Sequence, residues 1–285
     1  MLASALLHAI WSVSIKQSGD PLCFNFLQNS IAALAMALAA AWIPWRAVPP
    51  EVFGLVLLTG PTHALYLFWM SRAYEHGDLS LVYPIARSTP AFLPLVAVPL
   101  FGEVLHPIGG LGIVAVVAGM WLVNLGPGFE RQSLSGLATR YALLTLLATV
   151  VYSLIDKAAM ARFAAGAWPG PIPRAITYSM LLQFSHAIAF APLFFRARDL
   201  AALRATARQQ IARATAAAVI SFVGYALILR AFETAVASYV VAVRQSSVLF
   251  AVALSAVWLR ERPSRPRVLG AAATVLGVAL IALFG

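Results

Sequence analysis

SLVYPIARSTPAFLPLVAVPLF, residues 80 to 101, is long and apolar enough to cross a bilayer, for which about 20 mainly apolar residues suffice. Inside it, Tyr83-Pro84-Ile85-Ala86-Arg87-Ser88-Thr89-Pro90 sets an arginine between two prolines. A second polar interruption, Val243-Arg244-Gln245-Ser246-Ser247, stands in another apolar run near the far end of the chain. An uncompensated charge in hydrocarbon costs roughly 3 kcal/mol on insertion scales, so an arginine at such a place faces a polar cavity or a partner. Arg87 and Arg244 are therefore the first candidates for function.

The rest of the chain has the same character. Of its 285 residues 61% are hydrophobic and 11% charged, with a mean hydropathy of +0.85, which excludes an ordinary soluble domain. The net charge of +10 comes from arginines gathered in short segments between apolar runs, the pattern of membrane topology, and no nucleic-acid partner is expected. A single cysteine, Cys23, excludes an intramolecular disulfide and a CxxC site. Met1 to Ile15 has neither a basic n-region nor a small-x-small cleavage pattern and reads as a first spanning helix.

On the length a span requires, the chain divides into ten helices, near 2 to 17, 22 to 43, 52 to 74, 80 to 101, 107 to 125, 139 to 160, 174 to 195, 212 to 232, 237 to 259 and 266 to 284. Gly, Pro and charge punctuate them, as at Gly19-Asp20-Pro21, Pro49-Pro50, Gly126-Pro127-Gly128 and Arg262-Pro263. The chain also repeats. Arg72-Ala73-Tyr74-Glu75 returns as Arg230-Ala231-Phe232-Glu233. At the same offset Ser80 meets Ser238, Ser88 meets Ser246, Glu103 meets Glu261, Gly112 meets Gly270 and Gly119 meets Gly277. Further upstream Leu27-Gln28-x-Ser30 matches Leu182-Gln183-x-Ser185, and Trp11-Ser12 with Lys16 matches Tyr152-Ser153 with Lys157. Repeats at 1–128 and 129–285 hold five helices each. Five is odd, so the second repeat enters the membrane from the opposite side. The predicted fold is an all-α integral membrane protein of ten transmembrane helices in two inverted five-helix repeats, with a site near the midplane at their interface.

The paired Arg-Ala-(Tyr/Phe) ends of the third helices, with Gly102-Glu103 and Arg260-Glu261 closing the fourth, resemble the drug/metabolite transporter superfamily, EamA-like branch, over essentially the whole chain. The resemblance implies an alternating-access carrier of small metabolites, often amino acids or related solutes and commonly outward. The expected location is a bacterial cytoplasmic membrane, as a monomer or homodimer in the lipid bilayer, with no cofactor. The positive-inside rule puts the segment Arg196 to Arg213 and the cluster Arg260, Arg262, Arg265 and Arg267 inside, with both termini outside. Asp199 to Arg213 reads as a basic amphipathic stretch on the membrane surface or a solvated loop.

Arg87 lies roughly 10 Å into a core of about 30 Å at the rise of a helix, and Arg244 equally deep in the ninth span. A guanidinium is always charged, and its fork suits a carboxylate or phosphate. The alternative is neutralisation by Glu75, Asp78, Glu233 or Asp156. Arg87 aligns with Gln245, so the pair is not an exact repeat and the site is asymmetric. Tyr83 shares a face with Arg87, and Ser247 shares one with Arg244. The fourth span carries four prolines and the ninth none, which makes the fourth the expected bending element. Ser88, Gln28, Trp11 and Tyr66 complete the expected substrate-binding set. Either they line a cavity or they tie helices together and, for the aromatics, sit at interfaces.

His8, His63 and His186 fall near the middles of their spans, and with no carboxylate expected at a span centre they are the candidates for proton coupling. No two share a helix at i and i+4, so no metal site follows. The function these residues point to is secondary-active transport of a small organic solute with an anionic group, an amino acid or organic acid. A flippase for a lipid-linked headgroup is the runner-up. A membrane-embedded enzyme would need paired carboxylates or a His/Asp cluster, which spacing does not reveal.

Overall fold

The computed structural model describes residues 1–77, 79–124, 136–166, 168–250, 253 and 264–285. Asp78, Gly126 to Gly128, Trp258, Arg260, Glu261 and Arg262, on which several expectations rest, lie outside them. Every regular element among the described residues is helical: α1 (Leu2–Lys16), α2 (Pro21–Ala39), α3 (Pro50–His76), α4 (Leu79–Ala86), α5 (Thr89–Phe101), α6 (Pro107–Asn124), α7 (Leu137–Ala164), α8 (Arg174–Ala197), α9 (Leu200–Phe232), α10 (Ala237–Arg244) and α11 (Arg265–Phe284), with two short 3₁₀ turns between α2 and α3. Seven helical stretches among them are long and apolar enough to cross a membrane, and Leu2–Ile15 and Pro107–Val123 are shorter apolar helices. The chain is an all-α integral membrane protein.

Local chemistry sets the ends. Asp20 caps α2, its carboxylate accepting from the amides of Leu22 and Cys23, with Pro21 supplying a first residue that needs no partner. Asp199 caps α9 in the same way at the Ala202 amide. Gly102 takes φ +64 after α5, a left-handed stop that a glycine adopts without strain.

At the corner where α9 gives way to α10, Lys157 donates to the carbonyls of Phe232 and Ala235 at 2.8 Å each. Glu103 accepts from the amides of Ala237, at 2.6 Å, and Ser238. A cation thus meets the C-terminal end of one helix and an anion the N-terminal end of the next, each matching the helix dipole.

Helix direction alternates, so residues 40–49, 102–106, 165–166, 168–173 and 233–236 collect on the face that also holds the termini. Met1, Ile43, Val48, Phe101, Trp168 and Ala235 join one apolar cluster there, and Trp42 is 73% exposed beside it. Residues 17–20, 77 and 198–199 collect on the opposite, basic face. Gly60 lets α3 and α8 cross closely, since a Cβ on it would fall on Ser185. α6 and α11 approach closely as well. A Cβ on Gly112 would lie 2.7 Å from the Gly277 carbonyl oxygen, and one on Gly119 would lie 2.5 Å from that of Gly270. Without a hydrophobic force between helices in lipid, such small-residue contact is what joins them.

Three expectations are corrected. The fourth span is two helices, α4 and α5, parted at Arg87 and Ser88. Pro90 has no amide to give Ala86, so the chain turns with Ser88 N bonding Ile85 O instead. The ninth span is interrupted too, by a turn at Gln245–Ser246 before helix resumes at Ser247, although it has no proline. There the amides of Gln245 and Ser246 bond the carbonyls of Ala242 and Val243, three residues back. Serines that can compete for backbone groups make that tightening cheap. Finally, Asp199 to Arg213 is no separate surface stretch: from Leu200 it runs unbroken into α9, with Ala202, Leu203 and Ala207 packed against the core around Phe190 and Phe194.

Gly119→Leu is expected to lower the thermal melting point of the purified protein by several degrees, as overpacking costs about 1–3 kcal/mol. Gly110→Leu, on the same helix with open space around its Cβ, is expected to leave it unchanged. A differential scanning fluorimetry series checks the pair.

Candidate functional site

Two interior cavities meet at a layer made by Tyr66, Tyr152 and Arg244, which line both. The larger, about 110 Å³, runs toward the terminal face between α1, α2, α8 and α9. It takes in His8, Trp11, Gln28, His63, His186 and Tyr225. The smaller, about 10 Å³, lies on the basic side of the layer and is walled by Tyr74, Arg87, Thr89, Thr149 and Gln245 among others. Sites for drug-sized ligands are usually 300–1,000 Å³, so the larger cavity in this conformation suits only a small solute.

Both helix breaks supply this layer. Arg87 follows α4 directly and Arg244 ends α10, so each cation sits where helix carbonyls leave a partial negative charge. Thr89 opens α5 beside them, bringing the positive end of a half-helix to the smaller cavity. The Arg87 guanidinium lies 5.3 Å from the Tyr83 ring centroid and that of Arg244 lies 5.7 Å from Tyr225. Tyrosine faces soften the charges without cancelling them.

No carboxylate among the described residues pairs with either arginine. Glu75 is taken by Arg72 and Arg198, Glu233 by Arg230, and Asp156 by His63. Arg87 is 8% exposed. Arg87 Nη2, Arg244 Nε, Thr89 Oγ1, Gln245 Oε1 and Ser246 Oγ are all buried without a protein partner. Native interiors rarely leave such groups together unless a ligand or water uses them.

The sequence candidates fall into three groups. His8, His63, His186, Trp11, Tyr66, Gln28 and Arg244 come together around the larger cavity. Arg87 and Gln245 join Tyr66 and Arg244 at the smaller one. Tyr83, Ser88 and Ser247 are absent from both linings. Tyr83 OH sits 3.5 Å from Ser247 Oγ, and the Ser88 hydroxyl donates to Pro84 O while accepting from Trp121 Nε1, so these three brace the hinges. Gln28 accepts from Trp11 Nε1 at 3.0 Å and donates to Asn25.

Asp156 is the residue that sequence reasoning placed wrongly. The expectation of no carboxylate at mid-membrane and no His/Asp cluster is corrected, because α7 brings Asp156, 0% exposed, to His63 at the midpoint of α3. These residues are 93 apart in sequence, and no spacing rule joins them. The signal available was Asp156 itself, a lone acid deep in an apolar helix. Among the described residues no three His, Cys, Asp or Glu gather as metal ligands.

The basic face is held shut by a clasp. Arg198, after α8, donates to Asp20 Oδ2 and to Glu75 Oε1 at 2.8 Å each, and Glu75 also holds Arg72. It joins the start of α2, the end of α3 and the end of α8 outside the cavities. At the terminal face, the corresponding Glu233 holds Arg230 but leaves its buried Oε1 without a partner.

Fold and cavity define a polytopic helical membrane protein with a charged interior site. The family model described as the EamA-like transporter family matches residues 1–125 and 139–283, and the chain belongs to that family of membrane transporters. A search of curated proteins finds no match. One solved structure, titled only as a crystal structure of a protein, covers 99% of this chain and 94% of its own with a TM-score of 0.71 at 15% identity. At that identity the likeness is one of fold.

Burial opposes ionisation of Asp20, but the Arg198 guanidinium and the Cys23 amide outweigh it and hold the carboxyl below its ordinary 3.8. A depressed carboxyl stabilises the fold fully above its unfolded value and loses that contribution as pH falls through the folded one. Asp20→Asn is therefore expected to melt lower than wild type at pH 7, and the difference should shrink as the pH is brought below 3.8. Melting curves across that range check it.

Proposed function

We propose that the protein is a secondary-active, alternating-access carrier of a small organic solute bearing an anionic group, an amino acid or organic acid, bound at the Arg87–Arg244 layer. The observation that carries this is the pair of interior arginines with no carboxylate partner, beside a helix N-terminus and open polar groups. A carboxylate of the solute supplies the missing partner, and the guanidinium forks hold it with charge-assisted hydrogen bonds. The solute's apolar part meets the aromatic walls of Trp11, Tyr66 and Tyr225.

The carrier consists of ten transmembrane helices in two inverted halves, 1–128 and 129–285. Their repeat register, 158 residues from Arg72 to Arg230 (230 − 72), supports this. Exchanging the halves turns the Gly112–Gly277 contact into Gly270–Gly119, which is also made. The same shift carries the break at Arg87 onto the break at Gln245. The family match, too, falls in two segments. Rocking of such halves exposes a central site to each side in turn. A clasped basic face, an unfilled Glu233 and a cavity running toward the terminal face fit a conformation closed at the basic end. The positive-inside rule makes that end cytoplasmic, in the cytoplasmic membrane of a bacterium, with export the direction the family resemblance suggests.

Uptake into liposomes of radiolabelled amino acids, organic acids and amines is expected to select acids. Arg87→Gln should weaken it roughly 10- to 100-fold, the worth of one charge-assisted hydrogen bond of about 1.5–3 kcal/mol. Acid uptake by Arg87→Gln equal to that of wild type would refute the anion site.

A further inference from the structure

We propose that the buried His63–Asp156 pair is the proton-binding site of this carrier, with Tyr225 linking it to Arg244. The proposal rests on the carrier reading above and names the coupling ion.

The Asp156 carboxylate has both oxygens engaged. Oδ1 accepts from Thr59 Oγ1 and Tyr178 OH, each at 2.7 Å. Oδ2 accepts from Tyr225 OH and faces His63 Nε2 at 3.0 Å. A carboxylate offers about four acceptor positions, so this one is fully coordinated as an anion by α3, α8 and α9. His63 is the member of the pair that faces the cavity, with an imidazole nitrogen able to take up a proton. Its ring stacks on Tyr152 at 3.9 Å, stands 5.9 Å from His186, and forms part of the larger cavity's wall. A proton arriving through that cavity takes the imidazole lone pair and gives an imidazolium held by Asp156. No other reactant is needed.

Among the described residues the other ionisable groups nearby are these, with His8 of α1 on the wall of the same cavity. Lys157, next on α7, points to the carbonyls of Phe232 and Ala235. Tyr66 and Tyr152 pack edge to face at the dividing layer, and Tyr178 is committed to Asp156. His186 offers the second imidazole from α8. Tyr225, from α9, touches both charges: its hydroxyl is on Asp156 and 3.3 Å from His63 Nε2, and its ring faces the Arg244 guanidinium. A proton on His63 changes the demand on the Tyr225 hydroxyl and so the seat of Arg244. Solute and proton therefore meet through one ring. With His63 neutral, Arg87, Arg244 and Asp156 sum to one positive charge, which one carboxylate balances.

The test uses the full chain in liposomes with L-alanine, L-glutamate and succinate as probes and pyranine inside as the pH reporter. Two quantities are read for each acid: exchange of labelled for unlabelled compound at equal pH, and net accumulation driven by a pH gradient. Wild type is expected to do both for at least one acid. His63→Gln, which alters a cavity wall and keeps a polar amide, is expected to lose gradient-driven accumulation and the pyranine signal at least tenfold more than it loses exchange. Asp156→Asn is expected to do the same, with melting curves checking its fold. Gradient-driven accumulation by His63→Gln equal to wild type overturns the proton site and leaves the carrier intact. Failure of wild type to exchange any of the three acids overturns the anionic-solute reading instead, and the coupling proposal with it.

Discussion

The structure depends on two guanidinium groups held inside a membrane protein with no carboxylate among the described residues assigned to them. Of the acids considered as partners, those described are engaged elsewhere: Glu75 in the clasp, Glu233 with Arg230, Asp156 with His63. The remaining means of lowering their cost are partial. Helix carbonyls at the ends of α4 and α10, and the faces of Tyr83 and Tyr225, offset some of a charge whose burial costs several kcal/mol. On the proposed reading, the residue of that cost is what an anionic solute would relieve on binding, giving the site a preference for one charge sign without high affinity for any one shape.

Broken helices make this arrangement tolerable. A continuous helix would have its carbonyls spent on its own amides, with nothing left at mid-membrane for an arginine. Breaks at Arg87–Ser88 and Gln245–Ser246 open those groups at the level of the two arginines. The two ends of the bundle are held differently. Arg198 locks the basic face by an ion network, while the terminal-face acid Glu233 has an oxygen to spare. The proposed alternating-access cycle would need this inequality, because a molecule equally shut at both ends admits nothing.

Much of this was legible in the sequence and some was not. Apolar length, the punctuation between spans and the repeated Arg-Ala-aromatic-Glu are local or periodic, and they announced a polytopic helical protein and the depth of Arg87 and Arg244. Seven of the twelve candidate residues line one cavity because polar groups in apolar helices turn inward for lack of any alternative. What escaped was pairwise. His63 finds Asp156 only when α3 packs on α7, and no spacing carries that information. The break after α10 escaped for a related reason: without proline, it depends on serines and a glutamine whose preference for turn or helix is decided by their surroundings. Ser88 was read as a binding residue because it adjoins Arg87. It proved to be bonded to the hinge backbone and Trp121.

The central claim is that the interior arginines hold an anionic group. A thermal-shift titration of the purified chain with an amino acid or organic acid that it transports, beside the matched neutral amide, tests this without requiring movement. Ligand that binds only the folded state raises the melting point by mass action, about 2.7 kcal/mol at a hundredfold excess over the dissociation constant. The account predicts a rise with the acid, none with the amide, and loss of the rise in Arg87→Gln and Arg244→Gln. An equal rise with acid and amide, surviving in both variants, would contradict it.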